Sequence, residues 1–214
     1  MPAPSSAELA RHRALERFSC FAELTRCADY RENSDYAQYT IARDSGVAIV
    51  APHGGYIERG TSEIAREIAG SLHSLYIFES LHAARSNDLH ITSANFDAPR
   101  CLQIVEVAST VFTVHGYPAP EEMVLVGGRD VERRDCLIEA LRARGINADV
   151  DRHFDGTHRR NICNRSREKK GVQLEISAGL RRLIPVSIEQ LNMPLTLPVE
   201  VQQIIKATQE AAGK

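Results

Sequence analysis

The chain has 214 residues, 43% of them hydrophobic and 25% charged, with 26 Lys and Arg against 28 Asp and Glu for a formal net charge of -2. That length suits one domain around one core, and the near-neutral balance gives no global reason to bind nucleic acid or an anionic membrane. No apolar run approaches the ~18 to 20 residues of a bilayer span.

Met1 to Arg17 lacks the apolar stretch of a secretory signal, so cytoplasmic synthesis is expected. Residues 1–18 read as a Pro/Ser-rich and then charged tail, leading into a short helix over Ser19 to Thr25 and a single catalytic domain over 19–214. From Gly46 onward, short apolar runs alternate with helical patterns. The strands expected are Val47–Ala51, Leu75–Phe78, Leu89–Thr92, Thr110–Val114, Met123–Gly127, Ile146–Val150 and Val172–Ile176. The helices expected are Thr61–Leu72, Arg100–Ala108, Val131–Arg144 behind an Asp130 cap and before Gly145, and a last one over Thr196–Ala212. Fully apolar strand centres alternating with helices imply an α/β fold, an open mixed or mostly parallel sheet of about seven strands flanked by helices.

Five cysteines, Cys20, Cys27, Cys101, Cys136 and Cys163, are odd in number and form no CxxC pair. They read as reduced thiols rather than a disulfide framework or a thiolate zinc site. The segment Asp151 to Lys170 stands apart in composition, with seven basic residues against three acidic ones. A long basic connection in a compact domain is either functional or a solvated loop.

Three strand ends carry candidate chemistry. Ala51-Pro-His53-Gly-Gly-Tyr-Ile-Glu58 follows a buried strand and precedes a helix, where ligand sites of open α/β sheets gather. Its two glycines let Glu58 turn back beside His53, half of a zinc site; the plainer alternative is a turn histidine with a helix-start carboxylate. Thr110-Val-Phe-Thr-Val-His115-Gly116 repeats the strand-His-Gly design, and His53, Glu58 and His115 make a standard catalytic zinc set with one position open. His90 is the further histidine placed near the expected edge of the site. Gly171-Val-Gln-Leu-Glu175-Ile-Ser177 puts a carboxylate near the end of an apolar strand, suited to moving a proton in hydrolysis, or else an edge glutamate facing water.

Taken together, Ala51 to Ile64, Leu89-His-Ile-Thr-Ser93, Val114-His-Gly116, Asn161-Ile-Cys-Asn-Arg165 and Gly171 to Ser177 resemble the phage-type poly-γ-glutamate hydrolases over roughly residues 20–190. The resemblance implies a zinc-dependent enzyme of zinc-carboxypeptidase-like α/β fold that cuts γ-glutamyl amide bonds and, for a phage-derived chain, release by host lysis. It implies one Zn2+ per chain on His53, Glu58 and His115, with Glu175 as general base. Arg165 is then expected at a substrate carboxylate or the oxyanion, with Asn161, Asn164, Arg159 and Arg160 binding an anionic polypeptide. Two other readings stay open: a zinc amidase for small N-acyl amino acids or peptidoglycan-type peptides, and a nucleic-acid-binding phage replication-associated protein. Scarce aromatics, 6% with no Trp, weigh against the last. Oligomeric state is not legible in the sequence.

Overall fold

A computed structural model describes residues 16–182, 184 and 197–213. Residues 1–15 of the expected tail, and Thr196 at the expected start of the last helix, lie outside the described residues. The elements in chain order are α1 (Phe21–Leu24), β1 (Tyr36–Ile41), β2 (Val47–Gly55), α2 (Thr61–Ala69), β3 (Ser74–Ser80), α3 (Pro99–Val105), β4 (Thr110–Tyr117), β5 (Val124–Gly128), α4 (Val131–Ala143), β6 (Ala148–Val150), β7 (Val172–Ser177), α5 (Ala178–Arg181) and α6 (Val199–Ala212), with 3-10 turns at Ala83–Leu89 and Ile162–Arg165.

The seven strands form one sheet in the order β1-β3-β2-β4-β7-β5-β6. β3, β2, β4 and β7 run parallel, whereas β1 on β3 and β5 on β7 are antiparallel. The chain leaves β2 toward β3 on one side and returns to β4 on the other, so the direction of winding reverses around β2, where such folds open a crevice at the strand C-termini.

Both faces of the sheet are covered. Ile49, Ile77, Phe112, Val114, Leu174 and Ile176 point into one core beneath α2, α4 and α6. The intervening residues Ala48, Val50, Tyr76, Phe78 and Val111 point into a second core with Phe21, Phe96, Ile104 and Ile162. Burial on both sides explains the continuous apolar runs. By the same alternation, Gln173 and Glu175 share the second face with His115.

Two strand assignments change. Leu89–Thr92 does not pair: Leu89 and Ile91 are buried, but the segment crosses the strand ends, where the Ile91 carbonyl meets His53 Nε2 at 2.8 Å. The seventh strand is instead β1, whose burial falls from Tyr36 to an exposed Ile41. An edge strand with one wet face carries no apolar run to announce it. Phe18, placed by the sequence in the tail, packs edge-on against Tyr30 at 5.3 Å in the second core. Asp130 caps α4 as expected, accepting from Arg133 N, and Gly145 takes a left-handed φ of 77 just past that helix.

Candidate active site

The turn after β2 brings the first two site residues together. The β2/β3 register shifts between Ala51 and Gly54. Gly55 has φ +62, and a Cβ there would stand 2.2 Å from the Ser80 carbonyl oxygen, so only glycine fits this crossing. Glu58 N then donates to the His53 carbonyl at 3.0 Å, and Thr61 Oγ1 donates to the Glu58 carbonyl at 2.8 Å. The side chain of Glu58 is thereby folded back, with Oε1 at 3.0 Å from His53 Nδ1. Ser62 braces the turn from below: its hydroxyl accepts from Gly55 N at 3.1 Å and donates to the buried Glu79 at 2.7 Å.

Three imidazoles surround that carboxylate. His53 Nε2 lies at 2.8 Å from the Ile91 carbonyl, which requires a proton on Nε2, and its Nδ1 is turned toward Glu58. His115 Nε2 lies at 3.3 Å from Ser93 Oγ, and His115 Nδ1 stands 3.1 Å from His53 Nδ1 and 3.6 Å from Glu58 Oε2. His90 stacks on His53 with ring centroids 4.0 Å apart; its Nδ1 meets Glu16 Oε1 at 3.1 Å and its Nε2 lies 3.8 Å from Glu58 Oε1. Each histidine is thus tied on its outer nitrogen and offers its inner one. His53, Glu58 and His90 present ligand atoms all within 4.8 Å of one another. His53 Nδ1, His115 Nδ1 and the Glu58 carboxylate lie closer still, at 3.0 to 3.6 Å. Tetrahedral bonds of 2.0–2.1 Å place ligand atoms about 3.3 Å apart, so the second triad matches zinc more closely.

Glu175 lies on β7 directly beside His115 on β4. Gln173 Nε2 donates to Glu175 Oε1 at 3.0 Å, and Asn161 Nδ2 donates to Gln173 Oε1 at 2.9 Å. Burial, then the charges of Glu58 and Asp151, push the Glu175 carboxyl well above the usual range, with Arg181 and Gln173 acting against them. Burial also pushes Glu58 up, but the facing His53 and hydrogen bonding from His115 and His53 outweigh it and hold Glu58 well below that range. Asp151, on the residue after β6, caps His153 N and Phe154 N at 2.8 Å through Oδ1, while its buried Oδ2 has no hydrogen-bond partner among the described residues. Burial raises its pKa too.

The buried guanidinium of this region belongs to Arg181. Its Nε donates to the Ile176 carbonyl at 2.8 Å, Nη2 to Tyr117 O at 3.3 Å and Nη1 to Arg59 O, which ties the Glu58 turn to the ends of β4 and β7. Gly116 admits it, since a Cβ there would stand 2.2 Å from Arg181 Cζ. Two carboxylates, Glu58 and Glu175, therefore face one arginine, and Asp151 adds a third negative group that acts on Glu175. That imbalance, with two or three inward imidazole nitrogens, fits a divalent cation of borderline softness such as zinc.

The other expected residues lie elsewhere. Arg165 ends the 3-10 turn and pairs with Glu106 at 3.0 Å, below the start of β4. Thr110 to His115 spans about 16 Å of strand, so Arg165 is displaced from the reacting centre expected for it, and Arg181 holds the position near the carboxylates instead. The buried Asn164 spends its amide on the protein: Oδ1 accepts from Arg129 N, and Nδ2 donates to the Gly156 and His158 carbonyls. Asn161 acts through Gln173 and through Cys163 N. Arg159 and Arg160 are exposed on the basic loop. Asp151 and Arg181 went unnoticed in the sequence although both follow a strand end, the same signal that marked His53 and His115; nothing local marks Glu16.

A family profile for poly-gamma-glutamate hydrolase matches residues 18–192. The chain belongs to the poly-γ-glutamate hydrolase family. The SPbeta prophage-derived protein YoqZ of Bacillus subtilis is 38% identical over 175 residues, which cover 79% of this chain and 61% of YoqZ. YndL of the same organism is 40% identical over 152 residues, 70% of this chain and 60% of YndL. The chain thus spans about three fifths of the length of these relatives. Among solved structures, a bacteriophage poly-gamma-glutamate hydrolase superposes with a TM-score of 0.84 at 28% identity, and the zinc-free apo form of YndL with 0.80 at 30%. Each comparison covers 92% of this chain and 96% of the other.

Proposed function

We propose that this chain hydrolyses γ-glutamyl amide bonds of poly-γ-glutamate at one zinc ion per chain held by His53, Glu58 and His115. The observation that carries this reading is the enclosure of the Glu58 carboxylate by inward imidazole nitrogens, 3.0 to 3.6 Å apart, with Glu175 on the neighbouring strand. The family and the likeness to a phage hydrolase support the substrate class. Zinc bound there would polarise a carbonyl and lower the pKa of a bound water toward about 7.

The protein's own groups handle the proton. Glu175 accepts one from the attacking water as the C–O bond forms and returns it to the γ-amide nitrogen as the C–N bond breaks. Its raised pKa favours holding that proton between the two steps, and Gln173 fixes its orientation. His90, anchored by Glu16 and more exposed than His53 and His115, borders the opening and is placed to contact the substrate. Arg181 spends its donors on backbone carbonyls, so its part is to hold the Glu58 turn and to lend positive potential to two carboxylates.

The test is zinc content of the tag-free protein beside cleavage of poly-γ-glutamate by the unaltered chain and by Glu175→Gln. About one zinc in both proteins, with turnover lost by 10^2-fold or more in the variant, is expected. Near-normal turnover in Glu175→Gln overturns the proton-transfer role, and absence of zinc after loading overturns the metal mechanism.

A further inference from the structure

A cleft of about 620 Å³ lies beside α3, the helix that packs on the second core. One end borders the active site: its wall includes Ala94 and Asn95, next in the chain after Ser93, whose hydroxyl contacts His115 and whose carbonyl accepts from Ile162 N at 2.9 Å. From there the cleft follows α3, with Asp97 lining it just before that helix and Glu106 just after. Seven helical residues rise about 10 Å, so the cleft is an elongated channel leading away from the reacting centre.

Its charges are unevenly matched. At the far end Arg165 is paired with Glu106. Arg159 and Arg160, which directly precede the Asn161 that bonds Gln173 beside Glu175, line the cleft with exposed side chains and pair with no carboxylate among the described residues, and the same holds for Lys169. Asp97 is already engaged, accepting from Phe21 N at 2.6 Å. The loop carrying the two arginines is held in place, since Asn164 Nδ2 bonds the carbonyls of Gly156 and His158 and Arg160 N meets His158 Nδ1 at 3.2 Å. Two guanidinium groups on a braced loop are prepared to receive carboxylates in bidentate fashion.

We infer that this cleft is a distal subsite that holds the carboxylates of an extended polyanionic peptide a few residues from the scissile bond, an inference that rests on the proposed function. A single carboxylate would need one arginine; an open channel about 10 Å long with three uncommitted cations suits a chain that repeats its charge. Among the described residues no aromatic side chain lines the cleft, so bases would find no stacking platform there, and a polypeptide is favoured over a single-stranded nucleic acid. The reading makes the enzyme selective for long substrate through binding rather than through chemistry.

The test compares the full chain with an Arg159→Ser/Arg160→Ser variant, and with one that adds Lys169→Ser, on long poly-γ-glutamate and on a γ-glutamyl oligomer too short to reach the loop. KM for the polymer should rise roughly tenfold in the double variant, with kcat and the kinetics on the short oligomer unchanged. Added salt should weaken polymer binding by the unaltered chain more than by the variants, read from anisotropy of labelled polymer on zinc-loaded Glu175→Gln protein. Cleavage with an unchanged chain-length dependence in the variants overturns this inference alone, and so does an equal rise of KM on both substrates. Displacement of labelled polymer by an oligonucleotide of matched charge as well as by unlabelled polymer also overturns it, in favour of nucleic-acid binding. Neither cleavage nor binding of polyglutamate by the unaltered chain overturns this inference and the proposed function together.

Discussion

Replacing Arg181 by Leu should damage the fold and the site through one set of contacts. The side chain is 8% exposed and donates to three carbonyls, of Ile176, Tyr117 and Arg59, that belong to three separate segments. Charge-assisted hydrogen bonds contribute about 1.5–3 kcal/mol each, and the relief of no longer burying a cation offsets part of that sum. A net loss of about 3–5 kcal/mol is expected, a fifth or more of a typical domain stability of about 5–15 kcal/mol. Arg181→Lys keeps the charge but not the planar fork, and should lose about 1–3 kcal/mol. Denaturant unfolding of zinc-free protein reads this directly, with an unchanged m-value showing that the unfolded state is the same. In activity assays, loss of the cation lets the Glu175 pKa rise further, so the acid limb of the pH profile should move to higher pH. A Leu variant within about 1 kcal/mol of the unaltered chain would refute the reasoning, because it would mean that the guanidinium gains no more from its carbonyls than it loses from hydration.

The raised pKa of Glu175 makes a second expectation about the zinc-free protein. A carboxyl whose folded pKa lies above its unfolded value of about 4.3 adds stability at low pH that is lost as pH rises from there through the folded pKa. Zinc-free Glu175→Gln should therefore exceed the unaltered chain in stability at neutral pH, with the gap closing toward pH ~4; parallel stability curves would contradict this. Zinc content separates the two histidine triads: His115→Ala should lose nearly all metal, while His90→Ala should retain it with affinity reduced by about tenfold, and the reverse order would move the third ligand to His90. Gly55→Ala forces a Cβ to 2.2 Å from the Ser80 carbonyl oxygen at a φ of +62, so unfolding free energy should fall by more than the roughly 1 kcal/mol that left-handed backbone alone costs, with zinc affinity falling alongside; an unchanged unfolding curve would show that the turn can relax.

Much of this molecule is local and therefore readable in its sequence. Six of the seven strands and the helices α2, α3 and α4 follow from apolar runs, spacing and caps, because a strand buried on both faces must be apolar throughout. His53, Glu58, His115 and Glu175 stand out because each sits at or near the end of such a run, beside glycines that permit a close turn. What sequence could not decide is which distant groups share a space. Arg165 and Arg181 are both arginines beside motif residues, yet the path from the 3-10 turn back to the start of β7 carries Arg165 to Glu106, while the short α5 folds Arg181 back under Gly116. Asp151 and Glu16 become site residues through packing alone, as the β6 end and the segment before α1 converge on the same crevice. Strand positions follow from a periodicity of two, but the neighbours β4 and β7, far apart in the chain, meet because of the crossover order, and that order fixes which buried charges must answer one another.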